Sequence, residues 1–293
     1  MEQNYVIITD TDTDVTPEVA KELGYSGLIS MPYIIDGKEI FPYEDFETFD
    51  AKAFYDTLRR GTLPKTGGIS PERYTKYIEP HFKAGKDVLY VHFSGAMSGT
   101  FNAMRIAEAE LKKTYPDRKL YTLDTKGITI CSLGIVKEVG DMYLAGKSVG
   151  EILGWGETEV DKFATYFYAD DLKFFGRSGR VSNFSATMGS ILGIHPILTM
   201  SSDGMMKSVA KARGKYNTLR KILDYVVDLE ENIKAHRVII GHSDATEIAD
   251  AMAKMLREKF GDGLRIEFVD VNPTAGSHCG PDCIGVCFHA KHR

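Results

Sequence analysis

Short apolar runs alternate with helical patterns through the first half of the chain. A strand followed by a helix, repeated several times, predicts a mostly parallel sheet covered by helices on both faces. Asp36-Gly37, between two further apolar runs, is typical of a tight β-hairpin turn. The predicted strands are Tyr5–Thr9, Leu28–Ile35, Glu39–Phe41, Asp87–Phe93 and Lys119–Leu123, and the predicted helices are Pro17–Leu23, Ala51–Arg60, residues 70–84, Gly99–Tyr115 and Ile128–Ala145.

The pattern changes after Gly146. Two apolar runs flank Ser201-Ser202-Asp203-Gly204 and predict an antiparallel hairpin, so the second sheet should be mixed. The helical pattern breaks around Gly150, Gly154 and Gly156, which predicts an N-terminal three-layer domain over residues 1–155 and a C-terminal α/β domain over residues 156–293. The elements predicted here are strands Phe163–Ala169, Pro196–Met200, Met205–Ala210, Arg237–Gly241 and Arg265–Val271, and helices Asn183–Leu192, Asn217–Ile233 and Ile248–Phe260.

Composition is that of a globular protein, with 43% hydrophobic and 26% charged residues among 293. A net charge of −5 disfavours nucleic-acid binding, which needs a basic surface. No apolar run approaches the ~18–20 residues of a membrane span, and Met1–Asp10 lacks the pattern of an export signal. We therefore expect a cytoplasmic protein without stable membrane insertion, whose four cysteines are free thiols.

Three loops carry polar or small residues where open α/β sheets build their sites. Ser94 follows an apolar run, and the loop from Gly95 through Ser98 leads into a helix whose N–H groups could face a phosphate or a carboxylate equally well. The alternative is a plain turn in which Ser98 caps the helix. Thr66 precedes two glycines that let backbone approach a ligand closely, and His278 could donate to a carboxylate, or both could be ordinary loop residues.

Two other groups of residues allow a metal-dependent interpretation. Asp10 and Asp12 follow the first strand as an Asp-x-Asp pair, which resembles the first motif of haloacid-dehalogenase-type phosphatases that use Mg²⁺. The downstream companions of that motif are not evident. Cys279, Cys283 and Cys287 lie near three histidines, His278, His289 and His292, but the Cys-x-x-Cys spacing of a zinc knuckle is missing. We therefore expect no bound metal, and small buried cysteines.

The segment from Leu172 to Ser182 joins an apolar run to Arg177 and Arg180 and two glycines. Together with the Thr66 loop, the Ser94–Thr100 loop and His278-x-Gly280, it occurs in an order that resembles the DegV family of bacterial fatty-acid-binding proteins. The opening Thr9-Asp10-Thr11-Asp12-Thr13-Asp14 fits the same family, and in that light the aspartates are structural. The resemblance covers nearly the whole chain.

The resemblance implies a lipid-binding protein rather than an enzyme, without a cofactor and with a role in phospholipid metabolism. One long-chain, palmitate-like fatty acid would lie in a tunnel between the domains, and a separate fatty acid kinase would phosphorylate its carboxylate. Thr66, Ser94, Gly95, Ser98 and His278 would hold the carboxylate. The residues expected to dock the kinase are Arg177 and Arg180, and those expected in the tunnel wall are Met97, Phe101, Ile191, Ile194 and Ile197.

This sequence departs from the family pattern near the head group. Gly95 stands in place of the second serine of a Ser-Ser pair, so its N–H or Ser94 would have to replace a hydroxyl. Gly67 and Gly68 stand in place of a serine and a glutamine.

Overall fold

Three β-sheets and their covering helices form the part of the chain that the computed structural model describes, residues 3–182 and 193–293. The strands are β1 (Tyr5–Asp10), β2 (Tyr25–Ile29), β3 (Tyr33–Ile35), β4 (Lys38–Ile40), β5 (Lys65–Thr66), β6 (Asp87–His92), β7 (Leu120–Asp124), β8 (Phe163–Tyr168), β9 (Val181–Ser182), β10 (Ile194–Met200), β11 (Met206–Arg213), β12 (Arg237–His242), β13 (Arg265–Asp270) and β14 (Ile284–His289). The α-helices are α1 (Pro17–Glu22), α2 (Ala51–Arg59), α3 (Pro71–Lys83), α4 (Thr100–Thr114), α5 (Ile130–Leu144), α6 (Val149–Glu159), α7 (Leu172–Ser178), α8 (Lys215–Leu229), α9 (Thr246–Phe260) and α10 (Pro273–Cys279).

The first sheet is parallel, with strand order β2-β1-β6-β7. Successive residues of β1 point to opposite faces, so Ile8 packs towards α3 and α4 while Ile7 packs towards α5. Both faces are thus covered, and the strands are apolar almost throughout. This is the predicted three-layer arrangement.

Helix α5 lies between the first and the second sheet. Its first seven residues, 130–136, are all buried, and Val139 and Gly140 are buried as well. On one side it joins the apolar cluster of Leu89 and Val91, and on the other it reaches Phe163 and Cys287. A helix that is apolar around most of its circumference is stable only where both sides are covered.

The second sheet has the order β13-β12-β14-β8-β10-β11-β9 and is mixed. Its central strands β12, β14, β8, β10 and β11 pair antiparallel, and the two edge pairs are parallel. Helices α8 and α9 cover the face opposite to α5. The predicted class, a parallel sheet followed by a mixed α/β region, is therefore confirmed.

A small antiparallel sheet, β4-β3-β5, packs with α2 beside the first sheet. The predicted hairpin turn is present, and Asp36 and Gly37 both have the positive φ that a two-residue turn of this hand requires. The predicted single strand Leu28–Ile35 is wrong. It is divided into β2 and β3, which belong to different sheets.

Two further expectations about local structure are wrong. The glycine-rich stretch around Gly150 is not a break but helix α6, which begins with a capping box between Ser148 and Glu151. His278 lies in helix α10 and not in a loop. The C-terminal strand β14 lies between β12 and β8 in the middle of the second sheet. The division of the chain at residue 155 stays a prediction, and that position lies inside α6.

The helix predicted over Asn183–Leu192, together with the wall residue Ile191, lies outside the described residues. Within the described ranges, no helix combines the length and the apolar character needed to cross a bilayer.

Gly280 connects α10 to the turn before β14 and should tolerate no side chain. Its φ of 75° and ψ of −177° form a conformation open essentially to glycine alone, and an added Cβ would lie 2.3 Å from Cδ2 of Phe174. We expect Gly280→Ala to lower the free energy of unfolding by at least about 1–3 kcal/mol, measured by urea denaturation.

The matched control is Gly150→Ala in α6, where the added methyl would meet nothing within 4 Å. That variant should be as stable as the parent, or more stable by up to about 1 kcal/mol. Equal stability of the two variants would contradict the assigned conformation of Gly280.

Candidate functional site

An apolar cavity lies between the carboxyl edge of the first sheet and the α5-facing surface of the second. Its empty space, counted together with the open mouth, is about 970 Å³. The apolar wall includes Met31, Phe93, Met97, Phe167, Phe175 and Met200. Gly241 also lines the cavity. A Cβ at this position would lie 2.5 Å from Ile130 at the start of α5. A cavity of this kind suits an elongated apolar molecule.

The polar side chains that line this cavity near the small sheet and α10 include Thr66, Ser98, Arg180 and His278. Thr66 and His278 are 212 residues apart, yet the Thr66 hydroxyl and Nε2 of His278 form a 2.9 Å hydrogen bond. The Ser98 hydroxyl oxygen accepts from the N–H of Thr100, so its own hydrogen is available to a ligand. Three of the predicted head-group residues are therefore brought to one cavity.

Burial and the neighbouring Arg180 lower the pKa of His278 to about 4. The ring is therefore neutral at pH 7, and it carries one N–H donor and one acceptor nitrogen. Arg180 supplies the positive charge instead. Its Nε donates to the carbonyl of Met97 and its Nη1 to the carbonyl of Ser178, which fixes the guanidinium while leaving further N–H groups.

The structure differs from the prediction at Ser94 and Gly95. The Ser94 hydroxyl donates to the carbonyl of Gly204 in the turn between β10 and β11, 2.7 Å away. The N–H of Gly95 donates to Oδ2 of Asp124 at 3.1 Å. Both donors are thus used within the protein, and neither residue lines the cavity. Ser94 thus connects the two sheets, and Gly95 holds the loop that carries Ser98 against the end of β7.

The predicted apolar wall is correct only in part. Met97 lines the cavity, whereas Phe101 packs beneath it against Phe93. Ile197 is on the opposite face of β10, in the core under α8, and Ile194 does not line the cavity. Side chains alternate along a strand, so the neighbouring positions face inward, and Met200 belongs to the wall.

The predicted docking arginines have different surroundings. Arg177 is exposed in the last turn of α7, as an interaction residue requires. Arg180 is half-buried in the cavity wall. Only Arg177 therefore has the surface position that was expected of both.

Asp10, the last residue of β1, has the surroundings of a structural group rather than those of a phosphatase nucleophile. Asp10 is fully buried, and its carboxyl group accepts hydrogen bonds from the Tyr90 hydroxyl and from the N–H groups of Phe93 and Asp12. Burial nevertheless raises the pKa of Asp10 to about 7. Such a surrounded carboxyl group has no room for a phosphate ester, and the phosphatase hypothesis is not pursued.

All four cysteines are free thiols. Cys279 and Cys283 line the cavity, and the Cys283 thiol donates to the carbonyl of Cys279 at 3.1 Å. Within residues 3–182 and 193–293, no three metal-binding side chains converge on one point.

A family model described as "Uncharacterised protein, DegV family" matches residues 4–291. The chain belongs to the DegV family. A DegV domain-containing protein of Clostridium perfringens is 34% identical over 289 residues, which cover 98% of this chain and 97% of the relative. A second, from Caldanaerobacter subterraneus, is 27% identical over 99% of this chain and all of the relative.

Solved structures of DegV proteins share the fold. A stearic acid-binding protein from Eubacterium ventriosum superposes with a TM-score of 0.86 at 20% identity, over 98% of each chain. A fatty-acid-binding DegV protein from Thermus thermophilus gives a TM-score of 0.85 at 21% identity, over 98% of this chain and all of the other. DegV of Bacillus subtilis, a fatty acid binding protein, gives 0.82 at 21% identity, over 99% of this chain and all of the other.

Sequence reasoning missed two polar residues of the cavity wall. Asp12 was interpreted as part of the phosphatase-like pair or of the first loop, but not as a cavity residue. Thr129 was not singled out, because nothing in a Thr-Ile step predicts its positive φ of 52°. Gly241 was not predicted either, because a glycine after an apolar run indicates the end of a strand and not a residue of a cavity wall.

Asp14 generates a pH-dependent stability that can be measured. Its Oδ1 accepts from the backbone N–H and from Nδ2 of Asn272, whereas the buried Oδ2 lacks a partner among the described residues. Burial raises the pKa of Asp14 to about 7. Between about pH 4 and pH 7 the unfolded carboxyl has lost its proton and the folded one keeps it, so the free energy of unfolding falls as the pH rises.

We expect Asp14→Asn to reduce the decrease in the free energy of unfolding that accompanies rising pH. Asparagine keeps the accepting oxygen and tolerates the left-handed backbone at this position. Between pH 5 and pH 8 the loss of stability should shrink by roughly 1–3 kcal/mol, because one pKa unit corresponds to about 1.4 kcal/mol. Urea denaturation at both pH values measures it, with Asp262→Asn on the surface as control. An unchanged pH dependence would contradict the buried, protonated state of Asp14.

Proposed function

We propose that this DegV protein binds one long-chain fatty acid in the cavity and presents its carboxylate to a separate fatty acid kinase. The observation that carries the proposal is an apolar cavity whose polar lining includes a neutral histidine, two hydroxyls and an arginine in one region. Fatty acid binding by the solved DegV proteins of Thermus thermophilus and Eubacterium ventriosum supports it.

The energetics favour such a ligand. A sixteen-carbon chain removed from water gains on the order of 12 kcal/mol before the costs of ordering, at ~0.8 kcal/mol per methylene group. Burying its carboxylate is costly unless donors replace the lost water. Ser98 and Arg180 offer such donors next to the Thr66–His278 pair.

The tautomer of His278 decides how Thr66 takes part. When Nε2–H of the neutral ring donates to the Thr66 oxygen, the hydroxyl hydrogen of Thr66 is free to donate to a carboxylate oxygen. Arg180 then provides the charge that a neutral histidine does not. In this arrangement the carboxylate is held by hydroxyl and guanidinium groups, and His278 orients the threonine.

Kinase presentation requires the carboxylate to be near the surface. Thr66 and Ser98 are half-buried, and the neighbouring Gly68 is exposed. The polar part of the cavity therefore lies close to the protein surface. Arg177 is exposed on α7, the helix that precedes Arg180. We propose that Arg177 contacts acidic groups of the kinase while Arg180 stays with the ligand.

The proposal is tested first by the lipid content of the purified protein. Denaturation, solvent extraction and mass spectrometry should release about one fatty acid per chain. Protein that carries no lipid and does not bind added stearate or palmitate would contradict the function.

Replacing head-group donors should weaken binding while leaving the chain cavity intact. Thr66→Val and Ser98→Ala each remove one hydroxyl donor, and hydrogen bonds to a charged group are worth roughly 1.5–3 kcal/mol. Each variant should therefore bind fatty acid about tenfold more weakly or worse, as measured by equilibrium titration with palmitate. His278→Ala should have a similar effect through the lost orientation of Thr66.

Thr122→Val is the matched control, because Thr122 is exposed on β7 and remote from the cavity lining. Its affinity should equal that of the parent. Unchanged affinity in Thr66→Val, Ser98→Ala and His278→Ala together would mean that the carboxylate lies elsewhere.

The two arginines should separate ligand binding from presentation. Arg180→Ala should lower the affinity for palmitate about tenfold or more, because a charged donor is lost from the cavity. Arg177→Ala should leave that affinity unchanged and slow acyl-phosphate formation when a fatty acid kinase and ATP are added. The opposite pattern would exchange the two roles and refute this assignment.

A further inference from the structure

One part of the cavity wall is not suited to a plain hydrocarbon chain. Asp12 lies in the single turn of 3-10 helix, Thr11–Thr13, that follows β1, and its side chain lines the cavity. The residue is 6% exposed, and Oδ1 has no hydrogen-bond partner in the described part of the chain. Buried polar atoms in folded proteins nearly always have a partner, so an unpaired carboxyl oxygen at a ligand cavity requires an explanation.

A second polar residue beside Asp12 is held in a strained conformation. Thr129 lines the cavity at the start of α5 and has a φ of 52° and a ψ of −132°. For a β-branched residue this backbone conformation is a rare outlier, and such strain persists mainly at functional sites. The N–H of Thr129 donates to the backbone carbonyl of Asp12 at 2.8 Å, so the two residues form one unit.

The Thr129 hydroxyl does not cap α5, because the helix begins without a side-chain cap. Nearby in the wall, the buried hydroxyl of Thr165 makes no hydrogen bond that meets normal geometry, and the weakly polar thiols of Cys131 and Cys287 lie beside it. Asp12, Thr129 and Thr165 therefore line the cavity without using their full hydrogen-bonding capacity.

Burial raises the pKa of Asp12 well above the ordinary value, and the neighbouring carboxyl groups of Asp10 and Asp14 raise it further, which favours the protonated form. A protonated carboxyl group has one O–H donor and an accepting oxygen, so it pairs with a neutral group that both donates and accepts. A hydroxyl fulfils this requirement, and an oxo group fulfils the accepting half.

We propose that Asp12 and Thr129 form an inner polar subsite of the acyl cavity, which accepts a hydroxyl or oxo group on the hydrocarbon chain. The preferred ligand class is then an oxygenated long-chain fatty acid. The inference rests on the proposed function, and it places a second recognition point along the chain, separate from the carboxylate donors Thr66, Ser98 and Arg180.

The subsite discriminates between ligands because a buried polar group without a hydrogen-bond partner costs binding free energy. An unsubstituted chain that covers Asp12 leaves the carboxyl group without water and without a partner, whereas a hydroxyl at the right carbon restores its hydrogen bonds. Sites built to pair a buried hydroxyl discriminate strongly against the analogue that lacks it. The preference should be confined to one position of the chain, or to two adjacent positions, because the carboxylate fixes the register.

The test compares the affinities of stearic acid and a positional series of monohydroxystearic acids for the delipidated full-length protein. In the parent, one isomer or two adjacent isomers should bind at least about tenfold more tightly than stearic acid. Asp12→Asn keeps a donor and an acceptor and should retain the preference. Asp12→Val should abolish it, by weakening the favoured isomer while stearic acid binds as well as before or better.

Thr129→Val keeps the β-branched shape and removes only the hydroxyl, so it provides a second variant if Asp12→Val does not fold. It should reduce the preference severalfold, whereas Thr122→Val on the surface should leave it unchanged. A preference that survives in both Asp12→Val and Thr129→Val would overturn the assignment of these residues.

The results also separate this inference from the proposed function. If stearic acid binds and no isomer exceeds it in the parent protein, the polar subsite is refuted while fatty acid binding stands, and an ordered water is left to satisfy Asp12. If neither stearic acid nor any hydroxystearic acid binds, the proposed function itself fails, and the subsite with it.

Discussion

The burial of helix α5 between two sheets is the constraint on which the rest of the structure depends. Its apolar residues are covered by the parallel sheet on one side and by β8, β12 and β14 on the other. Gly134 makes the approach possible, because an added Cβ would lie 3.0 Å from the ring of Phe163. The spacing of the two sheets is thereby fixed at one helix thickness. The cavity lies where α5 begins, at Ile130, between the carboxyl edge of the first sheet and the second sheet.

The cavity therefore combines two kinds of surface that a single sheet does not provide. The carboxyl edge of the parallel sheet supplies loops with polar groups and free N–H groups, as in other open α/β sheets. The face of the mixed sheet supplies an apolar floor. A long amphiphile needs both, since its chain must be removed from water while its charged end must be given donors. His278 is neutral because its pKa is lowered. Among Thr66, Ser98, Arg180 and His278, the positive charge therefore belongs to Arg180 alone.

Sequence reasoning predicted the two sheets and three residues that line the cavity, and its errors have identifiable physical causes. The alternating pattern predicted β10, but it does not say whether the odd or the even positions face the cavity. Ile197 was therefore predicted in the cavity wall, whereas Ile197 lies in the core under α8 and Met200 lines the wall. Ser94 was expected at the ligand because the motif places a hydroxyl there, whereas its hydrogen is committed to the carbonyl of Gly204. That bond joins residues 110 positions apart and depends on how the sheets meet, which no local pattern records. The glycines near residue 150 predicted a break, yet Ser148 and Glu151 cap a helix there.

The position of β14 has a consequence for how the molecule is made. The strand is inserted between β8 and β12, both of which precede it in the chain, and α10 with His278 comes just before it. During synthesis the parallel sheet can close as soon as β7 has emerged, since its four strands lie within residues 5–124. The mixed sheet must instead wait with its centre open until residue 289 has left the ribosome. The growing chain thus exposes the future floor of the cavity until β14 has paired with β8 and β12, and the cavity is complete only after that pairing.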